Sequence, residues 1–459
     1  MNSTDFSSLG LNPDLLKNLS SLGYKSMTPI QALSLPILLS GKDVIGQGKT
    51  GSGKTAAFGL GLLQKLDVKS FKTQSMVLCP TRELADQVAN EIRKLARTVH
   101  NIKVLTLCGG TPFGPQIGSL EHGTHIVVGT PGRVEEHLRK GTLKLKHIAV
   151  LVLDEADRML DMGFQDSIDK IIEKMPENRQ TLLFSATYPV EIADIANRIM
   201  QNPEILEAPS IQEESTIKQY FYLANTDDEH MNVLRLLLAK HKPESALVFC
   251  NTKSDTQDVA DELAYYGFYA LAIHGDLDQR ERDQALIRFS NGSVSVLVAT
   301  DVAARGLDIE DLDMVINFNI AHDPEVHIHR IGRTGRAGRS GIACTLYSDR
   351  ENHKLEMMDI DLASLDTPLP SDAYLHKPVK KPLMVTLKID GGKKQKLRPG
   401  DIVGALTGKG GISGDKIGKI TVVNNWSFVA ISAELVKPAL KKIQNDKLKG
   451  RTFRVRILS

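Results

Sequence analysis

Long hydrophobic runs are absent. No stretch of the 459 residues approaches the ~18 apolar residues that a membrane-spanning helix needs. The segment from Met1 to Gly10 has neither a basic nor an apolar stretch of leader type, so no signal peptide is expected. Cysteine is scarce. Cys79, Cys108, Cys250 and Cys344 lie far apart in sequence, which excludes a metal knuckle or a redox pair of C-x-x-C type. Each sits in or at the end of an apolar run and reads as a reduced core thiol, as expected of a cytoplasmic protein. No structural metal is expected, and no collagen-like, coiled-coil or solenoid period occurs. Net charge is also small, at +2, which by itself argues against a nucleic-acid partner.

What is present is an ordinary globular composition, 41% hydrophobic and 24% charged, which excludes a wholly disordered chain. Short runs rich in Val, Ile and Leu recur with helix-like stretches between them. Ser75–Cys79, Lys103–Cys108, His125–Val128, Ala149–Leu153 and Thr181–Phe184 form one set. Ala246–Phe249, Tyr269–Ile273, Val294–Val298, Met314–Phe318 and Ile342–Leu346 form a second. Such runs, joined by amphipathic stretches such as Glu83–Val99, predict parallel sheets buried on both faces. Two α/β lobes are expected, at 1–208 and 218–365, with the polar segment Glu207–Lys218 between them.

A proline-rich break, 366–382, leads into a tail at 383–459. From Lys380 onward, 18 Lys and Arg stand against 5 Asp and Glu, a balance of +13. The preceding residues carry 39 basic and 50 acidic groups, a balance of −11. The small total is therefore a cancellation between an acidic body and a basic tail.

Gly48-Lys49-Thr50-Gly51-Ser52-Gly53-Lys54-Thr55 fits the phosphate-loop pattern G-x-x-x-x-G-K-[ST], after a short apolar run and before a helical stretch, Ala56–Leu66. Glycines at Gly51 and Gly53, with Thr50 and Ser52, let backbone N–H groups converge on phosphate oxygens. Lys54 suits the β and γ phosphates and Thr55 suits Mg²⁺. Asp154-Glu155-Ala156-Asp157 ends an apolar strand, where Asp154 can reach a metal and Glu155 can orient a water. An acidic helix start is the plainer alternative for that string.

With these residues in place, residues 1–365 resemble the DEAD-box RNA helicases. Gly23-Tyr24 with Thr28-Pro29-Ile30-Gln31, and Phe6 upstream, is similar to the adenine-reading Q motif. Pro80-Thr81-Arg82-Glu83-Leu84, Gly109-Gly110 and Thr130-Pro131-Gly132-Arg133 are similar to the first-lobe RNA motifs, and Ser185-Ala186-Thr187 to the coupling motif. In the second lobe Val248-Phe249 with Thr252, Gln279 with Arg282, Thr300-Asp301 and Ala304-Arg305-Gly306-Leu307-Asp308 fit. His329-Arg330-Ile331-Gly332-Arg333-Thr334-Gly335-Arg336 resembles the arginine-finger motif. Gly48 and Met27 depart from the usual alanine and proline.

The resemblance implies an RNA-dependent ATPase with two RecA-like lobes. Phe6, Tyr24, Gln31, Gly306 and Asp308 are implied to touch the nucleotide. Asp157, Ser185, Thr187 and His329 are implied to couple hydrolysis to RNA. Arg82, Gly110, Thr130, Arg133, Arg282 and Thr300 are implied to hold RNA by its backbone. Gln31 can donate to and accept from adenine, or cap a helix; Tyr24 can stack on the base or sit in the core. Arg133 and Arg282 can equally be structural ion pairs. Arg333 and Arg336, three apart, are expected one helical turn apart and aimed at one γ-phosphate, which requires the lobes to close. ATP and RNA should then tighten each other.

The tail reads β-α-β-β-α-β, an RRM-like α+β sandwich: Met384–Ile389, a helix from Pro399, Lys416–Val423, Phe428–Ile431, a helix over Ala433–Gln444, and Phe453–Leu458. Met384–Ile389 has no aromatic residue and Phe428-Val429-Ala430-Ile431 is a degenerate stacking string, so base stacking on the sheet is not expected. Trp426, the only tryptophan, is left as a base platform or a core anchor. Gly400-Asp401-Ile402-Val403-Gly404-Ala405 and Gly414-Asp415-Lys416-Ile417-Gly418 resemble the C-terminal domain of the bacterial DEAD-box protein A family. That implies binding of 23S rRNA and a role in assembly of the large ribosomal subunit on pre-50S particles. Lys393, Lys394, Lys396, Arg398, Lys409, Lys416, Lys419, Arg451, Arg454 and Arg456 are the expected contacts. A monomer is expected. The rivals are a general RNA-remodelling ATPase, a DNA-directed ATPase and a non-catalytic RNA clamp.

Overall fold

A computed structural model describes residues 4–48, 52–185, 187–188, 190–207, 217–304, 309, 311–335, 340–358, 360, 365 and 367–458. Thr50, Gly51, Gly306, Asp308 and Arg336 lie outside the described residues.

The first lobe is built on β1 (Val44–Gln47), β2 (Ser75–Leu78), β3 (Val104–Leu107), β4 (Ile126–Gly129), β5 (Val150–Asp154), β6 (Gln180–Ser185) and β7 (Glu204–Glu207). They form one parallel sheet in the order β3-β4-β2-β5-β6-β1-β7. Side chains alternate across it. Val44, Val150, Val152, Leu182 and Phe184 enter one buried layer, and Ile45, Leu151, Leu153 and Leu183 enter the other. That two-sided burial explains why the strands read as continuous apolar runs. The order brings the C-terminal ends of β1, β6 and β5 side by side, and the phosphate loop, Ser185 and Asp154 with them.

The second lobe contains β8 (Ile217–Leu223), β9 (Ala246–Cys250), β10 (Ala270–Ile273), β11 (Val296–Thr300), β12 (Met314–Asn317) and β13 (Gly341–Tyr347). These are parallel, in the order β10-β11-β9-β12-β13-β8. The tail forms an antiparallel sheet of β14 (Met384–Ile389), β15 (Ile417–Val422), β16 (Ser427–Ser432) and β17 (Val455–Ile457), in the order β15-β16-β14-β17. Helices Pro399–Thr407 and Val436–Asn445 cover the face that presents Leu387, Ile389, Val429 and Ile431. The two-lobe α/β body with a small α+β domain is the fold class expected.

Local differences have local causes. The edge strands β7 and β8 fall outside the expected strand sets: both are partly exposed, β7 begins at Glu204 and ends at Glu207, and β8 carries Lys218 and Gln219 near its start. They take up the ends of the segment Glu207–Lys218. The helix expected over Glu83–Val99 runs Arg82–Leu95; beyond it, Thr98 Oγ1 donates to the Asp14 carbonyl at 2.8 Å. The helix expected from Ala433 begins as a 3₁₀ turn, Ala433–Leu435, and Pro438 sits in the first turn of the α-helix, where no N–H is needed. All four cysteines are free and buried, and burial pushes Cys108 and Cys344 up to about 12, so both stay thiols. Among the described residues no helix is long and apolar enough to cross a membrane.

Candidate nucleotide and RNA sites

The phosphate loop leaves β1 and enters helix Lys54–Lys65 through Gly53, whose φ of +97° only glycine adopts without strain. A Cβ there would also collide with the Gln31 amide. Lys54 is buried and its ammonium donates to the Gly48 carbonyl at 2.6 Å. Ser52 Oγ is buried without a hydrogen-bond partner among the described residues. Thr55 is the second residue of the helix.

Gln31 opens helix Pro29–Leu39 in a capping box. Its Oε1 accepts from the Thr28 N–H at 3.0 Å and its Nε2 donates to the Gly53 carbonyl at 3.1 Å. One N–H and one lone pair of the amide stay available. Phe6 is buried and meets Tyr24 edge-on at 6.2 Å, while Tyr24 Oη donates to Glu91 at 2.9 Å.

Asp154, at the end of β5, is buried, and burial raises its carboxyl to about 7 against the opposing pull of the Lys54 charge; Glu155 and Asp157 raise it further. A desolvated carboxylate of this kind takes up a cation readily. With the Thr55 hydroxyl and the unpartnered Ser52 nearby in the fold, it fits the sparse protein share of a Mg²⁺ site completed by phosphates. No cluster of three or more His, Cys, Asp or Glu suited to a metal occurs among the described residues.

Glu155 holds a left-handed backbone, φ +53° and ψ +54°, a conformation that costs a non-glycine residue roughly 1–2 kcal/mol. It turns the chain sharply from strand to helix and leaves the Glu155 side chain to bond Arg158 Nη1 at 2.7 Å, with both side chains 8% exposed. Sequence reading missed Arg158; a basic residue three positions after a carboxylate was its only signal. Asp157 joins the next strand end: burial pushes it up, yet the Ser185 hydroxyl beside it and bonds from Thr187 and the Arg158 N–H hold it below the usual range.

Arg82 starts helix Arg82–Leu95, and its guanidinium lies against Gly110. Gly110 has φ +67°, and a Cβ there would overlap that guanidinium. Thr130 caps helix Pro131–Arg139. Arg133 is braced: it donates to Thr111 O at 3.1 Å and Gln116 Oε1 at 2.8 Å, and pairs with Glu136 at 3.1 Å. Gln116 also bonds His137, which burial and the nearby Arg133 lower to about 4.

In the second lobe Thr300 ends β11 and its hydroxyl accepts from Ala303 N–H. Arg282 lies in the first turns of helix Gln279–Ser290. Arg330, 1% exposed, grips Asp301 through Nε and Nη2, both at 2.7 Å, and bonds Asn319 O and Asn251 Oδ1. Its role was missed although the motif contains it. His329 precedes it on helix Pro324–Ile331. Arg333 does not lie on the helix: Pro324–Ile331 ends at Ile331, Gly332 caps it, and Gly335 has φ +69°; Arg336, the other half of the expected helical turn, lies outside the described residues. Arg333 is buried past that end.

On the tail, Lys393, Lys394, Lys396, Arg398, Lys409, Lys419, Arg451 and Arg454 are exposed. Lys416 pairs with Glu434 at 3.1 Å, and Arg456 approaches Asp390 at 3.5 Å. The second face of this sheet is not open. Thr386, fully buried, bonds Ser293 Oγ at 2.7 Å and Asn291 Nδ2 at 3.1 Å, both from the second lobe, and Lys419 reaches Ser290. Trp426 lies under Arg280 at 4.9 Å and beside Lys388 at 4.6 Å.

Comparison with known proteins agrees with this architecture. Residues 28–195 match the DEAD/DEAH box helicase family, 229–338 the helicase conserved C-terminal domain, and 386–457 the DbpA RNA binding domain. The chain is 54% identical over 460 residues to the ATP-dependent RNA helicase DbpA of Escherichia coli, covering 99% of this chain and 100% of that protein. It is 40% identical over 431 residues to the DEAD-box ATP-dependent RNA helicase CshA of Geobacillus kaustophilus, covering 94% and 86%. The structure of S. cerevisiae Dbp5 bound to RNA and ADP BeF3 superimposes with a TM-score of 0.70 at 31% identity, over 78% of this chain and 95% of that one. The chain belongs to the DEAD-box ATP-dependent RNA helicases, and its C-terminal domain marks it as one of the DbpA type.

Proposed function

We propose that this helicase opens RNA duplexes locally at the expense of ATP, and that its basic C-terminal domain directs it to 23S rRNA on pre-50S particles during large-subunit assembly. It does so as a cytoplasmic monomer. The observation that carries the targeting reading is a DbpA RNA binding domain, with twelve exposed basic residues, following a helicase body of opposite charge.

In this reading the N–H groups of Thr50, Gly51, Ser52 and Gly53 cradle phosphates, and Lys54 neutralises the β and γ groups. Thr55 and Asp154 would hold Mg²⁺, which when bound would offset charge on the phosphates. Gln31 offers its free N–H and lone pair to adenine, with Tyr24, Phe6, Gly306 and Asp308 around the nucleoside. Glu155 leaves Arg158 to orient the water that attacks the γ-phosphate, giving ADP and phosphate. Arg333 and Arg336 stabilise the charge that develops. Asp157, Ser185, Thr187 and His329 couple that step to RNA held by Arg82, Gly110, Thr130, Arg133, Arg282 and Thr300.

Two experiments test this. In Glu155→Gln, ATP binding should persist while turnover falls by about a hundredfold or more; near-normal turnover would remove the water-positioning role. For targeting, hydrolysis should be stimulated more by 23S rRNA than by an unrelated RNA of equal length. Reversing the charge of Lys393, Lys394 and Arg398 should abolish that preference and keep general RNA stimulation. A chain without the preference is the general RNA-remodelling ATPase instead.

A further inference from the structure

One basic residue of the tail is in the wrong place for a solvated surface charge. Lys388 lies in the central strand β14, 1% exposed. Its ammonium has no hydrogen-bond partner among the described residues. Its neighbours are the rings of Trp426 at 4.6 Å and Phe428 at 5.8 Å. Its cross-strand partner on β17 is another cation, Arg456. Like charges directly opposite in an antiparallel pair destabilise it. A third cation, the exposed Arg280 of the second lobe, lies over the Trp426 ring at 4.9 Å. Among the described residues the carboxylate that opposes Lys388 and Arg456 is Asp390, 3.5 Å from Arg456, with its Oδ1 otherwise unbonded. Burial lowers the Lys388 pKa, and the charges of Arg280 and Arg456 lower it further.

Such a cluster does not serve cohesion. The join between the tail and the second lobe has its own neutral fastening in Thr386, Asn291 and Ser293. An apolar side chain in place of Lys388 would fill the sheet at lower cost, because a buried charge without a counterion is expensive. Against three cations the cluster has one carboxylate, Asp390, and leaves room for a further anion in its charge balance.

We propose that the seam between the second lobe and the C-terminal domain is a binding site for an RNA phosphate, formed by Arg280, Lys388 and Arg456 around Trp426. The proposal rests on the RNA-holding role of the tail and adds a place where lobe and tail hold the same strand. Arg280 and Arg456 supply forked donors and Lys388 a point charge, a combination that suits one phosphodiester. Trp426 serves the cations as a π surface. With cations on its ring it is not a base platform, so this contact positions RNA without reading its sequence.

The test uses the full chain and fluorescein-labelled oligouridylate. Lys388→Met should weaken binding about tenfold, the worth of one charged hydrogen bond. It should also lower the slope of log K against log salt by about 0.7, the value for one phosphate contact on a single strand. The same variant should melt at a higher temperature, since it removes an unpaired buried charge. Arg280→Ala, at an exposed position, should reproduce the binding and slope changes without a change in melting. Trp426 is the only tryptophan, so its emission reports the seam directly and should change as oligouridylate saturates. Unchanged slopes in both variants, or unchanged Trp426 emission at saturation, would overturn the proposal. So would a lower melting temperature for Lys388→Met with an unchanged slope, which would make Lys388 a structural clasp. Loss of 23S preference in the unmodified chain, with these responses intact, would remove the targeting reading and leave the seam standing.

Discussion

Arg330 is the most heavily committed side chain in the second lobe, and its removal has a calculable cost. Its guanidinium makes two 2.7 Å bonds to Asp301, one of 2.7 Å to Asn319 O and one of 2.8 Å to Asn251 Oδ1. Its flat face lies 5.2 Å from the Phe249 ring. Arg330→Met keeps the packed stem and deletes every donor. Asp301, 23% exposed, then loses its counterion, and one carbonyl and one amide lose a partner. Breaking a buried ion pair from one side costs about 3–5 kcal/mol, and the partial solvation of Asp301 argues for the lower end, about 3. For a lobe of this size each kcal/mol moves the midpoint by about 2–4 °C, so calorimetry should show a loss of roughly 6–12 °C in the second-lobe transition. Asp301→Asn alone should also destabilise, and the double variant should recover about 2 kcal/mol of the summed loss, because the two residues act as one unit. Turnover should fall as well, since the pair fixes the segment after Thr300 to the helix that leads to Arg333. Strict additivity in the cycle, or a midpoint shift below about 2 °C, would refute the argument that Arg330 acts by holding Asp301.

Three further outcomes are expected. Because Asp154 keeps its proton up to about 7 in the folded chain and an unfolded Asp loses it near ~3.9, the folded state binds more protons in that window; this group's contribution to stability therefore declines as pH rises from about 4 to about 7. Binding of Mg²⁺ with nucleotide needs the ionised form, so calorimetry near pH 6 in buffers of different ionisation enthalpy should show release of up to about one proton, and no buffer dependence would contradict the assignment. Gly110→Ala should displace Arg82 and strain the loop by about 1 kcal/mol or more, lowering RNA-stimulated hydrolysis while ATP binding without RNA is kept; unaltered stimulation would remove Arg82 from the RNA site. Thr386→Val should strand the Asn291 amide, while the Ser293 hydroxyl keeps its bond to the Arg288 carbonyl, at a cost of about 1–3 kcal/mol, read as faster hydrogen exchange at Asn291–Ser293, and unchanged exchange would show that the seam does not depend on this hydroxyl.

The two parallel sheets were legible because strands buried on both faces advertise themselves as apolar runs; Ser75–Cys79 and Ala246–Phe249 needed no partner to be recognised. The edge strands β7 and β8 carry no such signal. The nucleotide loop was legible for a different reason: glycine spacing and a following lysine are demanded by phosphate geometry, whatever the lobe around them. The pairing of Glu155 with Arg158 and of Asp301 with Arg330 was not. An ion pair depends on backbone direction at a strand end, and the left-handed turn at Glu155 is invisible in a one-dimensional pattern. Arg333 falls outside a helix for a related reason: spacing of three suggests a turn of helix only where nothing ends it, and the helix stops at Ile331 with Gly332 as its cap, while Arg336 lies outside the described residues. Trp426 was left between base platform and core anchor, and neither describes its setting between Arg280 and Lys388.

The cancelling charges of the chain acquire a structural meaning through Thr386. A basic domain on a free tether would hold RNA near the motor but would not align it. Here the sheet face that faces outward in an isolated sandwich of this type is joined to the loop after helix Gln279–Ser290, the helix whose first turns carry Gln279 and Arg282. The tail therefore spends that face on the lobe, and of its exposed basic residues Lys419 reaches Ser290 of that lobe. The DbpA-type RNA binding domain is thereby fastened to the second lobe. If the tail delivers RNA as proposed, the acidic body needs only a few placed groups to engage the strand, and its negative balance would oppose nonspecific RNA binding rather than the bound substrate.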